Sequence, residues 1–394
     1  MFKRFAAILL LVPALAAMTS TASAAPTAQW PQFRYGPARV GYNPDETTLT
    51  TSNVGTAVLG WNVPLPSAAR YLLASPVMSG STLYFAASKL IAVNTSNGHV
   101  RWQVSPGGSP QTEATPAIDG TDIFVAWSVS KTSGVVQSRS ATTGSLNWSR
   151  TVPSTDFTTG PDTLGVRNGL VYFTDITSVT HWTLYALVES TGATAWSDSF
   201  TGGAPFTPPA LNASVLVVGL STGAVDAVNP TTGAHLWSAT TPALVDGIAI
   251  GGTTAYVVEP CYVVALSTAT GANIFTTKPP GCSATGYFGP AYAYEEVYVG
   301  SNDGHLYAIN AVTGAITWTA TTDSGGDPSV ANGVVYRCFD TLQAFNASTG
   351  TTLLTVTVPS GGLSITDVDI AGGQIYLTHG GPHRLTYATM YKLP

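Results

Sequence analysis

Seven segments of the 394-residue chain repeat one pattern, and that repetition narrows the fold more than any other feature. Each segment runs from an apolar strand through Asn or a small residue to a turn ending in Gly. A strand with a bulky anchor follows. The segments are LIAVNTSNGHVRWQV (90–104), VQSRSATTGSLNWSR (136–150), LYALVESTGATAWSD (184–198), VDAVNPTTGAHLWSA (225–239), VVALSTATGANIFTT (263–277), LYAINAVTGAITWTA (306–320) and LQAFNASTGTTLLTV (342–356). Their turn glycines, Gly98, Gly144, Gly192, Gly233, Gly271, Gly314 and Gly350, recur every 36–48 residues, about 42 on average. That length suits a four-stranded propeller blade.

Each letter of the repeat has a physical reason. The residues before the turn alternate apolar and polar, the period of a half-buried strand. Asn94, Asn229, Asn310 and Asn346 can accept a hydrogen bond from the backbone two residues on and so open the turn. The Gly reaches positive φ, which lets the hairpin close without splaying its strands. Four residues after it stands Trp102, Trp148, Trp196, Trp237, Phe275, Trp318 or Leu354. The fixed offset assigns these side chains to the wedge between neighbouring blades, rather than to a sugar-binding stripe or unrelated surface aromatics. Upstream pairs such as PAIDGTDIFVAWS (116–128), LGVRNGLVYFTD (164–175), PAYAYEEVYVGS (290–301) and PSVANGVVYRCF (328–339) carry hairpin signals. Each unit therefore reads as four antiparallel strands, A to D from the axis outward. A–B and C–D turns share one face of the disk; B–C turns and D-to-A links share the other.

After the seventh segment the chain has three strands, near 364–370, 374–380 and 385–393, and no fourth. AVLGWNVPLP (57–66) is an orphan D strand with Trp61 at the anchor position. The expected fold is all-β: an eight-bladed β-propeller of four-stranded antiparallel blades, closed by an N-terminal strand that completes the last blade. Residues 57–394 hold eight units of the observed period, and residues 25–56 form a leader segment.

Residues 1–24 carry the marks of a signal peptide. Lys3 and Arg4 precede an apolar stretch, and Ala22-Ser23-Ala24 fits the cleavage rule. The apolar run is shorter than a membrane span, and no later segment is long enough to be one. The expectation is a secreted protein, extracellular or periplasmic, and monomeric. A net charge of -6 with only 15 Lys and Arg, scattered along the chain, argues against a nucleic-acid partner.

The stretches Ala92 to Trp102, Ala227 to Trp237 and Ala308 to Trp318 resemble the PQQ-like (quinoprotein-type) β-propeller repeat family, whose motif is A-x-(D/N)-x-x-T-G-x-x-x-W. Trp30-Pro31-Gln32-Phe33-Arg34 and Gly41-Tyr42-Asn43-Pro44 also look like the segment preceding the first blade in such proteins. The resemblance implies two branches. One is a dehydrogenase using pyrroloquinoline quinone (PQQ) and Ca²⁺, with carboxylates and amides converging on the axis, an Asp base and often two adjacent cysteines. The other is a non-catalytic scaffold, like the outer-membrane assembly propeller of bacteria.

The dehydrogenase parts are not evident here. Cys261, Cys282 and Cys338 are the only cysteines and none are adjacent; Glu259, Asp303, Asp340 and Asp367 fall at predicted turns of different blades. No catalytic residue, metal or cofactor is assigned, and PQQ with Ca²⁺ is kept as the alternative. His379 and His383 could share a metal, but read as part of a solvated B–C turn. Export permits disulfides. Cys261, in the B–C turn of the fifth blade, and Cys282, in the link that follows, are expected to pair, leaving Cys338 as a free thiol; the alternative is three reduced, buried cysteines.

The two longest repeat steps place extra residues at 127–134, 153–163 and 175–182. On the B–C and D-to-A face these would gather Trp127, Phe157, Asp162, His181 and Trp182 into a shallow polar-aromatic patch; alternatively, the loops only cover the disk. The functional expectation is a secreted non-catalytic binding or scaffold propeller for a protein, peptide or glycan partner. The alternatives are a PQQ-dependent dehydrogenase with a degenerate site and a structural component of a cell-surface assembly.

Overall fold

A computed structural model describes residues 29–65, 74–86, 88–105, 114–130, 133–152, 164–178, 180–205, 207–280, 287–323, 325–359, 368–380 and 386–394. The strands form eight sheets around one axis, each with four antiparallel blade strands; the leader adds Tyr42–Asn43 parallel to the inner strand of blade 7. Blades 1 to 7 span 77–104, 117–152, 165–201, 210–240, 247–277, 287–321 and 329–357. Blade 8 takes strands A to C from Asp369–Ala371, Gln374–Gly380 and Thr386–Lys392, and strand D from Val58–Pro64 near the start of the chain. Trp61 pairs with Met390 and Pro64 with Tyr387, so the ring closes as the orphan strand predicted.

Burial follows position in the blade. Inner strands lie between two neighbouring sheets and are apolar on both faces: Thr82–Ala86 and Gly247–Gly251 are buried throughout. Outer strands face solvent at the rim, and Thr194–Thr201 alternates exposed and half-buried residues.

The turn glycine and the anchor belong to one joint between successive blades. Trp148 of blade 2 lies over Gly192 of blade 3, where an added Cβ would stand 2.5 Å from the indole; Gly192 also has φ +70. The same seat recurs for Trp61 over Gly98, Trp102 over Gly144, Trp196 over Gly233, Trp237 over Gly271, Phe275 over Gly314 and Trp318 over Gly350. Five indoles also donate to a carbonyl of the next blade's turn: Trp61 to Thr95, Trp148 to Glu189, Trp196 to Pro230, Trp237 to Thr268 and Trp318 to Ala347, at 2.7–2.9 Å.

Leu354 of blade 7 is the exception, and closure explains it. Strand D of blade 8 arrives from the N-terminus, so no C–D turn is available to receive an indole N–H. The short turn Val54–Thr56 packs there instead: a Cβ on Gly55 would meet the Leu353 carbonyl at 2.8 Å, and Leu354 and Val54 share one apolar cluster. The missing turn also leaves the buried Tyr336 hydroxyl without an acceptor. Its counterparts Tyr84, Tyr172, Tyr256 and Tyr298 reach Ala141, Pro230, Ala311 and Ala347 of the following blade.

The leader visits the innermost strands of all eight blades in order. Gln29–Trp30 adds a strand to blade 1. Carbonyls of Pro31, Pro37, Ala38, Val40 and Gly41 accept from Ile118, Leu211, Ile250, Tyr292 and Val330 of blades 2, 4, 5, 6 and 7. Gln32 exchanges two hydrogen bonds with Val166 of blade 3, and Asn43 donates to Ile370 of blade 8. The leader's backbone thereby satisfies inner-strand donors that have no further strand to pair with.

Candidate functional site

The expected patch on the B–C face does not assemble as an exposed surface. Trp127 and Trp182 are fully buried. The described extra residues in blades 2 and 3 lengthen strands: Asp122–Ser130 pairs with Ser133–Ser140, and Leu170–Ser178 with His181–Val188; residues 153–163 lie outside the described residues. Strand alternation then turns Trp127 into the core between blades 1 and 2, and Trp182 onto Phe200 with ring centroids 4.2 Å apart. His181 is exposed, with its Nδ1 3.0 Å from the Thr180 hydroxyl. Phe157 and Asp162 lie outside the described residues.

Two other expectations change for the same reason. Glu259 ends a B strand and is fully buried, with one carboxylate oxygen accepting from the Ala243 amide at 2.9 Å. Burial is the main cause that raises its pKa to about 7, helped by Asp246 and opposed by Thr241 and the Ala243 N–H. His379 is also on a B strand and buried, stacked on Tyr387 with its Nε2 2.8 Å from the Thr389 hydroxyl. Asp303 stays in its turn, accepting from the Tyr307 hydroxyl. Cys338 is a free, buried thiol, whereas Cys282, Asp367 and His383 lie outside the described residues.

Two cations of the leader, Arg34 and Arg39, reach the inner strands. Arg34 donates to the Pro290 and Pro328 carbonyls and pairs with Asp327 at 3.1 Å; Arg39 donates to Pro209 and Leu164. Both are buried. Sequence reasoning missed them, although charged residues are rare in this chain and two stand within six positions of the leader.

The cavity with a distinct chemistry opens on the opposite face, between blades 6 and 7. It has a volume of about 600 Å³ and is lined by Thr51 of the leader, Tyr294, Glu296 and Tyr298 of blade 6, and Asn332, Gly333, Asn346 and Ser348 of blade 7. Tyr294 caps the A–B turn of blade 6, accepts a hydrogen bond from the Gly333 amide at 2.8 Å and packs edge-on against Tyr42 of the leader. Glu296 accepts from the Thr317 hydroxyl at 3.1 Å; burial nonetheless raises its carboxyl above the usual range.

Residues 21–218 and 221–328 match the family described as outer membrane protein assembly factor BamB. The chain belongs to this family. Its sequence matches no curated protein. In fold it is similar to BamB from Moraxella catarrhalis, with a TM-score of 0.63 and 16% identity over 85% of this chain and 99% of that one. It is also similar to quinohemoprotein alcohol dehydrogenase ADHIIG from Pseudomonas putida HK5, with a TM-score of 0.74 and 14% identity over 93% of this chain and 80% of that one. A europium-containing methanol dehydrogenase gives a TM-score of 0.66 and 13% identity over 92% of this chain and 89% of that one. At such identities the likeness is one of fold alone.

The quinoprotein neighbours raise the question of whether this family member's residues suit PQQ and a divalent cation. Among the described residues, no three His, Cys, Asp or Glu side chains converge as a metal site. Inner-strand carbonyls at Pro290, Pro328, Pro209 and Leu164 are taken by guanidinium groups, whose charge opposes a nearby divalent cation. The described donor set does not fit the group, and no chemistry is assigned through it.

Proposed function

We propose that the chain is an exported, non-catalytic binding or scaffold propeller for a protein, peptide or glycan partner. The observation that carries this reading is the leader, which spends inner-strand amides of the ring on structure and sets two buried arginines on carbonyls at the inner strands. Binding is then left to the faces and grooves of the disk. The family description, an outer membrane assembly factor, supports an envelope setting, and residues 1–24 supply an export signal. Two further parts belong to the proposal. Cys261 is proposed to pair with Cys282, consistent with Cys338 being a free thiol; and the exposed His181 is proposed to take part in ligand contact together with Phe157 and Asp162, which lie outside the described residues.

A second reading, a PQQ-dependent dehydrogenase, draws on the two quinoprotein neighbours. Adding PQQ and Ca²⁺ to the purified protein and following alcohol-dependent dye reduction separates the readings. No turnover is expected; turnover would overturn the binding-module reading.

A further inference from the structure

We propose that the groove between blades 6 and 7 binds a sugar residue, with Tyr294 against its apolar face and Glu296, Asn332 and Asn346 around its hydroxyls. The inference rests on the reading of the propeller as a binding module and names the ligand chemistry of one groove.

The first observation is the turn itself. Tyr294 and Glu295 both have positive φ, +53 and +59. Equivalent A–B turns elsewhere place Gly or Asn in this region, as at Gly120, Asn168-Gly169 and Asn332-Gly333. A bulky aromatic is unfavourable in that backbone conformation, and such strain persists where the side chain has a use. The turn holds Tyr294 half-exposed at 48% on the edge of the groove. Its ring is fixed by Tyr42, 5.3 Å away, and its hydroxyl by the Gly333 amide. A fixed ring with an open face costs little further order on binding, and its negative face attracts the polarised C–H groups of a sugar.

The second observation is the balance of donors and acceptors. Glu296 uses one oxygen on Thr317, leaving the other open. Asn332 donates to Leu49, leaving its carbonyl oxygen. Asn346 accepts from Ser348 and Thr349, leaving its amide N–H groups. Among the described residues, no Lys, Arg or His lines the groove. An anion would face Glu296 without a counter-charge. A cation would leave the Asn346 donors unmatched, and an apolar ligand would leave every group unpaired. A hydroxyl both donates and accepts, so a neutral polyol answers the whole set.

The test uses the chain from residue 25 onward with glucose, galactose and N-acetylglucosamine and their short oligomers, each offered singly. Saturation-transfer NMR and calorimetry read binding. At least one sugar is expected to bind. Tyr294→Gly places the residue best suited to positive φ in the turn, so it should melt like the native chain while losing about tenfold or more in affinity. Glu296→Gln should weaken the same sugar with the fold intact. Failure of every sugar to bind, or native affinity in Tyr294→Gly, would overturn the proposal. The binding-module reading is judged separately by dye reduction with PQQ and Ca²⁺, so the two can fail independently.

Discussion

Gly192 has no side chain because Trp148 occupies the place where one would stand, 2.5 Å from the position of a Cβ. Gly120, also at positive φ, meets nothing within 4 Å. The two glycines look alike in the sequence, yet only the first is held by packing as well as by backbone conformation. Sequence spacing located the repeat glycines and assigned them positive φ; it could not reveal that each also seats the preceding blade's anchor, because that partner is a whole repeat away. Glu259 illustrates the opposite limit. A lone acid next to Pro260-Cys261 reads as a turn residue, whereas its place at the end of an inner strand covered on both faces buries it. Its pKa, raised from 4.5 to about 7, means the native state binds the proton more tightly than the unfolded chain does. Stability from this group is full below about pH 4.5 and is lost as pH rises through about 7, by on the order of 3 kcal/mol. Urea unfolding at several pH values should show that decline, and Glu259→Gln should flatten it.

At the scale of elements, the joint between blades has two parts that can be separated. Trp148 donates to Glu189 at 2.7 Å, so Trp148→Phe strands a carbonyl as well as shrinking the ring; about 1 to 2 kcal/mol should be lost. The Trp102 indole N–H has no acceptor; at this joint the Ala141 carbonyl accepts from the Tyr84 hydroxyl and not from the indole. Trp102→Phe should therefore cost less than Trp148→Phe, and equal losses in chemical denaturation would contradict the account. The anchors were legible because their offset from the turn is constant. Trp127 and Trp182 were misplaced because insertions in a repeat suggest loops, whereas here Asp122–Ser130 and His181–Val188 absorb them by lengthening existing hairpins. Alternation of Val125 with Trp127, and of Trp182 with Leu184, carries the signal that would have turned these side chains inward.

At the scale of the molecule, the number of blades and the closing strand follow from arithmetic on the period, and the ring forms that way. The leader's path was hidden for a physical reason: it binds the blades mainly through its own carbonyls, as from Pro31 to Ile118 and from Val40 to Tyr292, which leave no mark on residue type. Gln32, Arg34, Arg39, Asn43 and Glu46, polar side chains buried in a short segment, hint at it. The ring, the leader and the groove beneath Tyr294 all depend on Val58–Pro64 pairing with Thr386–Lys392. The most direct test is urea unfolding of a chain that ends at residue 364, lacking strands A to C of blade 8. The account predicts loss of the single cooperative transition, since Val58–Pro64 then has no partner and blades 1 and 7 are left with open sides. A transition with the midpoint and steepness of the full chain would contradict it.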